Sequence, residues 1–260
     1  MSQLGPLAGL QVVELGDSIA AAYCGKLLAD AGARVVKVER REGDDLRRYR
    51  RGALFQYLNA GKRSMVLDDA TAESRDHVEE LLAACHVVVA WAAHARRLGI
   101  DLHALCVARP ELVLVTLSDF GCDGPWADRA ATEFTLEAWA GSMHPRGMPG
   151  RAPLAAGGAT GEWVAGAFGA VAALAYRGRA QRDGTGGVAD VSVLESLVIT
   201  HTVYQPLAES MGQPRSELER NVEIPSIEPA KDGWVGFCTC LLYTSPSPRD
   251  RTRSRMPSSA

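Results

Sequence analysis

The strongest constraint on this chain lies in its first 40 residues. Leu10 to Leu15 (LQVVEL) is a short apolar run. Ile19 to Asp30 follows, rich in Ala and Leu, with Asp17 or Ser18 placed to cap it. Gly32 stands where a glycine closes a helix, and Val35 to Glu39 (VVKVE) is a second apolar run. Strand, helix and strand within about 30 residues is the size of a βαβ unit. The alternation continues. A short strand is expected over Met65–Asp68 and a helix over Ala72–Ala84. A strand is expected over Val87–Ala92, a helix over Ala95–Arg109 and a strand over Leu112–Leu117. This order predicts an α/β fold, a parallel sheet flanked by helices, with its ligand at the strand C-terminal ends.

Beyond the sheet the pattern changes. Gly141–Gly158 is rich in Gly and Pro and reads as a loop. Glu162–Arg177 is a helix dense in small residues, and Arg179–Gly187 a polar turn. Ala189–Val203 is a mixed apolar segment, and Gln205–Pro229 a charged, proline-containing linker. The last stretch, Leu241–Ala260, has neither strand nor helix period and holds four arginines against one aspartate. It resembles translated adapter sequence, so the natural chain is expected to depart from it near Cys240. The expected domains are residues 1–204, a large domain; 205–230, a linker; 231–240, the start of a small domain; and 241–260, a non-native tail.

Composition narrows the function classes. A net charge of -3 disfavours non-specific binding to nucleic acid or anionic membrane. No secretory leader and no run of about 18 apolar residues is present, so a cytoplasmic protein is expected. The six cysteines form no CxxC pair and no zinc-type spacing, and no metal is expected. Gly16-Asp17-Ser18 lacks the GxGxxG of a dinucleotide site. Gly61-Lys62-Arg63-Ser64 lacks the first glycine of a P-loop, and Ser192 and Ser196 lie in no GxSxG elbow. Lys37, Arg40, Arg41, Lys62 and Arg63 cluster near strand ends, either as a solvated face or as a phosphate site. Glu162 follows Gly157, Gly158 and Gly161. It reads either as a charge favoured by a helix start or as a nucleophile on a glycine-rich turn.

In order, the blocks Pro6–Arg40, Phe55–Asp68, Arg96–Asp101, Arg109–Pro125, Gly161–Arg177, Ala189–Ser196 and Lys231–Val235 resemble the family III (formyl-CoA transferase-like) CoA-transferases. The resemblance implies a Rossmann-like large domain, a second small domain mostly beyond this chain, and subunits that interlock as linked rings when full length. It implies transfer of CoA from an acyl-CoA to a carboxylic acid, with coenzyme A as substrate and no permanently bound cofactor. It places Ile19, Ala20, Arg40, Leu67, Asp68 and Arg97 on CoA, and Glu133 and Glu162 at the reacting centre. Two departures stand out. Glu162 occupies the position of the family's nucleophilic aspartate, and Trp91-Ala92-Ala93-His94 replaces an Asn-Phe pair. The backbone N–H groups of Gly157–Gly161 are expected to stabilise an oxyanion. Three alternatives remain open. One is a non-catalytic, CoA-binding half of a tandem protein. Another is acyl-CoA hydrolysis or lyase chemistry. The third is α-methylacyl-CoA racemisation, against which Thr132 stands where a histidine is needed; His144 lies nearby. The 260-residue chain is expected to be inactive alone, with apolar surface left uncovered.

Overall fold

The computed structural model describes residues 5–68, 71–143, 151–201 and 227–236. Six parallel strands form one sheet: β1 (Gln11–Leu15), β2 (Arg34–Arg40), β3 (Arg63–Leu67), β4 (Val87–Trp91), β5 (Val113–Ser118) and β6 (Gly187–Ser192). Their spatial order is β3-β2-β1-β4-β5-β6. The order reverses between β1 and β4, which makes their C-terminal ends the topological switch point. β4 and β5 are covered on both faces, which is why their sequences are nearly continuous runs of apolar residues.

The two faces carry different helices. α1 (Ile19–Asp30) and α7 (Thr160–Asp183) pack on one face over Val12, Val35, Val87, Val89, Val113 and Val115. α3 (Ala72–Ala84), α4 (Ala92–Arg97) and α5 (Leu102–Ala108) cover Val13, Leu15, Val38, Val88 and Leu114 on the other. α1 begins at Ser18, whose side chain accepts a hydrogen bond from the Ala21 N–H at 3.1 Å. α7 can press on α1 because Gly166 has no side chain. A Cβ there would lie 2.6 Å from the Ala20 carbonyl oxygen and 3.1 Å from the Tyr23 Cβ.

Several expected elements are corrected. The single helix expected over Ala95–Arg109 is two helices. Gly99 adopts φ 69° between them, and Asp101 caps the second by accepting from the Ala104 N–H at 2.9 Å. α2 (Ala53–Asn59), α6 (Glu133–Trp139) and α8 (Val193–His201) were not anticipated, and α7 continues to Asp183 through the expected polar turn. The last four residues of the expected linker, Ile227–Ala230, form β7. It pairs antiparallel with β8 (Gly233–Gly236). The tail 241–260, His144, Cys238, Cys240 and most of the linker lie outside the described residues.

Lys37 and Lys62 belong neither to a solvated face nor to a phosphate site. Glu14 and Lys37 are register partners on β1 and β2, and both are buried. Lys37 Nζ lies 2.9 Å from Glu14 Oε1 and 2.9 Å from Asp44 Oδ2, and also donates to the Gly16 carbonyl. Lys62 Nζ lies 2.7 Å from Glu14 Oε2. Burial opposes the charge on Glu14, but the two lysines outweigh it and hold its pKa below the ordinary value.

Next to this cluster, buried Glu39 accepts from Arg47 Nε and Nη2, both at 2.7 Å, from Ser64 Oγ and from the Asp44 N–H. Burial raises its pKa; these donors overcome that and lower it from 4.5 to about 2. The folded state therefore favours the carboxylate. Its stabilising contribution is complete above pH 4.5 and is lost as pH falls toward 2. Solvent at the half-exposed Arg47 weakens the effect, leaving about 1–3 kcal/mol. Urea melts of wild type and Glu39→Gln between pH 6 and pH 3 check this: the gap between them narrows as pH falls.

Candidate active site at the sheet switch point

Glu162 lies in the first turn of α7. The turn before it holds Gly157, Gly158 and Ala159 in succession at φ 75°, 76° and 57°, so the one non-glycine carries backbone strain. Two side chains pin this turn. Thr160 Oγ1 donates to the Gly157 carbonyl at 2.9 Å, and Trp163 Nε1 donates to the Gly158 carbonyl at 3.1 Å. The Trp163 ring packs edge-on against Tyr23 of α1, with centroids 4.8 Å apart.

The Glu162 carboxylate is thereby carried onto the N-terminus of α1. Its Oε2 accepts from the Ala20 N–H at 3.1 Å, at the positive end of a 12-residue helix. Burial raises the Glu162 pKa. The amides of Ala20 and Ile19 work against that rise, while the charges of Glu133 and Asp119 add to it, and the net shift is upward.

Glu133 stands beside it, in the first turn of α6. Its Oε1 accepts from the Gly161 N–H at 2.7 Å, and its buried Oε2 has no hydrogen bond among the described residues. Burial raises its pKa as well. The Gly161 N–H opposes the rise, and the charges of Glu137 and Asp119 reinforce it. The Gly161 N–H, expected as an oxyanion donor, is therefore already engaged by Glu133. The amides that face the Glu162 carboxylate come from α1 instead. Thr132, considered in place of a catalytic histidine, is the N-cap of α6, and its Oγ1 accepts from the Thr135 N–H at 3.3 Å.

A basic cluster sits at the same end of the sheet. Arg40 closes β2 and Arg97 closes α4, and both reach toward Asp17, just before α1. Arg97 Nη2 donates to Asp17 Oδ2 at 2.7 Å, and Arg40 Nη2 lies 3.8 Å from the same oxygen. His94 Nδ1 is 3.0 Å from it. Burial pushes the Asp17 pKa up, but the neighbouring His94, with Arg97 and Arg40, brings it below the ordinary value.

Beside this cluster runs a groove of about 220 Å³ between α3 and the α4–α5 turn. Leu67, Val78, Leu98, Gly99, Ile100 and Leu105 are among its lining residues. Asp68 follows Leu67, its carboxylate 3.9 Å from Arg41 Nη1.

The structure thus brings together Ile19, Ala20, Glu133 and Glu162, and separately Arg40 and Arg97 on Asp17. Leu67 borders the groove, and Asp68 pairs with Arg41. Sequence reasoning missed Asp17, His94, Asp119 and Trp163. For Asp17 the available signal was an acidic residue just past the first strand, after Gly16. Asp119 likewise follows the fifth. Among the described residues, no cluster of side chains suits a metal ion and no helix is long and apolar enough to cross a membrane.

The family model for CoA-transferase family III matches residues 7–241. The chain is 30% identical over 250 residues to a succinate–glutarate CoA-transferase of Agrobacterium fabrum, covering 88% of this chain and 62% of that protein. It is 31% identical over 254 residues to a succinyl-CoA–D-citramalate CoA-transferase of Chloroflexus aurantiacus, covering 92% and 63%. The crystal structure of a CaiB/BaiF family protein from Brucella suis superposes with a TM-score of 0.79 at 29% identity, covering 89% and 65%. The chain therefore spans less than two thirds of the length of these proteins. Fold and sequence agree: the chain belongs to CoA-transferase family III.

Proposed function

We propose that this chain supplies the acyl-CoA-binding half and the nucleophile of a CoA-transferase. One observation carries the reading: the Glu162 carboxylate is docked on the N-terminus of α1, and the same β1–α1 turn carries Asp17, which holds Arg40 and Arg97. In this reading Arg40 and Arg97 take CoA phosphates. The groove at Leu67 takes the adenine end, and the pantetheine arm runs past Ile19 and Ala20 toward Glu162. Glu133, with its raised pKa, holds the α7 turn and shapes the field around the nucleophile.

The chemistry uses no bound metal or resident cofactor; coenzyme A is substrate. The Glu162 carboxylate attacks the acyl-CoA carbonyl, the C–S bond breaks, and CoA leaves as thiolate from a mixed anhydride. The thiolate attacks the Glu162 carbonyl carbon, releasing the acyl group as carboxylate and leaving a Glu162–CoA thioester. An acceptor carboxylate repeats the two steps in reverse, taking CoA and restoring Glu162. The names of the relatives point to dicarboxylic acids as the substrate class. The exposed Phe168, Val171 and Leu174 of α7 and Trp139 of α6 support an interlocked pairing of full-length subunits.

Calorimetric titration of the 260-residue chain with CoA tests the binding half. Micromolar to millimolar binding is expected. Arg40→Ala and Arg97→Ala should each weaken it by about 10- to 100-fold, the worth of a charge-assisted hydrogen bond. Wild-type affinity in both variants would remove the phosphate assignment.

A further inference from the structure

Resting on that reading, we infer that Asp17 and His94 are positioning residues, which order Arg40 and Arg97 for the phosphates of CoA without touching them. The burial gradient gives the direction. The His94 and Asp17 side chains are 3% and 10% exposed, whereas those of Arg40 and Arg97 are 30% and 51% exposed. The acid therefore lies beneath the guanidinium groups, and a ligand arriving from solvent meets the arginines first.

Asp17 engages one N–H edge of Arg97 and only the charge of Arg40, which leaves most of the ten guanidinium N–H groups for the ligand. A free arginine loses considerable rotamer freedom when it grips an anion. One already held by a buried carboxylate has lost it beforehand. His94 Nδ1 backs the same carboxylate oxygen from the buried side, 3.0 Å away and short of hydrogen-bond geometry. This chain of histidine, carboxylate and liganding group parallels the outer-shell partners of metal ligands, whose loss typically costs 10- to 100-fold in affinity. It also gives the segment Trp91–His94 a role. Where the related family has an Asn-Phe pair, this chain anchors the arginines from below.

Affinities of the 260-residue chain for CoA and for pantetheine, which lacks the phosphates, provide the test. Asp17→Asn should weaken CoA binding about tenfold and leave pantetheine binding unchanged. His94→Asn keeps an N–H near the Nδ1 position and should bind CoA like wild type, whereas His94→Leu should fall with Asp17→Asn. A melt of each variant confirms that it folds. If Asp17→Asn does not fold, the His94 pair decides: Leu weakened with Asn unchanged supports the inference, and any other pattern overturns it. CoA binding equal to or tighter than wild type in Asp17→Asn also overturns it, because Asp17 would then compete with phosphate. Wild type that binds CoA no better than pantetheine removes the phosphate site itself, and the inference falls with the function it rests on.

Discussion

In the full-length protein, Glu162→Gln is expected to reduce CoA exchange between an acyl-CoA and a free carboxylic acid by at least about 10³-fold, the scale of losing a covalent nucleophile. The amide has nearly the shape of the carboxylate. Its carbonyl oxygen can still accept from the Ala20 N–H, so the α1–α7 junction and CoA binding should persist. Glu162→Asp should retain the chemistry with a carboxylate drawn back from that amide, and about 1 Å of misplacement costs about 10²-fold. The pH profile has a definite sign. Burial and the neighbouring acids raise the Glu162 pKa, and the ionised form is the nucleophile. The rate should therefore climb with pH along a limb that lies above the ordinary carboxylate range. Steady-state assays from pH 4 to 8 check this. A limb at or below the usual glutamate pKa would contradict the burial argument.

Glu14→Gln is expected to destabilise the fold by about 3–5 kcal/mol, the cost of breaking a buried ion pair on one side. Glu14 sits on the central part of the sheet and neutralises two lysines at once. Without its charge, Lys37 keeps Asp44, but Lys62 keeps only the neutral Asn59 Oδ1 and the Ala22 carbonyl. Lys62→Met in the same chain should recover part of the loss, because the uncompensated charge is gone. Urea melts of the two single variants and the double variant give the coupling directly. A loss below about 1 kcal/mol, or no recovery in the double variant, would show that the cluster is solvated.

Most of the sheet was legible because a parallel strand buried on both faces is nearly all apolar, as Val87–Trp91 is, and Val113–Ser118 is save for Thr116 and Ser118. α1 was legible to the residue because its cap and its closing glycine are local signals. α6 and α8 were not. α6 has seven residues and buries only Leu136 and Glu137, too little to show a period. α8 follows β6 without a break, so its apolar residues merged with those of the strand.

The site divides the same way. Glu162, Glu133, Arg40 and Arg97 were nameable from ordered motifs. The partners that set their behaviour lie far apart in sequence. Ala20 and Glu162 are 142 residues apart, and Asp17 and Arg97 are 80 apart. Such pairings exist only once the switch point has formed. Charged residues within the LQVVEL and VVKVE runs hinted at the buried cluster, but register decided that Glu14 faces Lys37.

The most direct test is mass spectrometry of the full-length protein after incubation with an acyl-CoA, before and after reduction with borohydride. An adduct of one CoA less one water is expected on the intact protein before reduction. After reduction, the thioester carbonyl should appear as a primary alcohol in the peptide containing Glu162, and Glu162→Gln should show neither change. An adduct on another residue, or none in a full-length protein that folds and binds CoA, would contradict the assignment of Glu162 as the nucleophile.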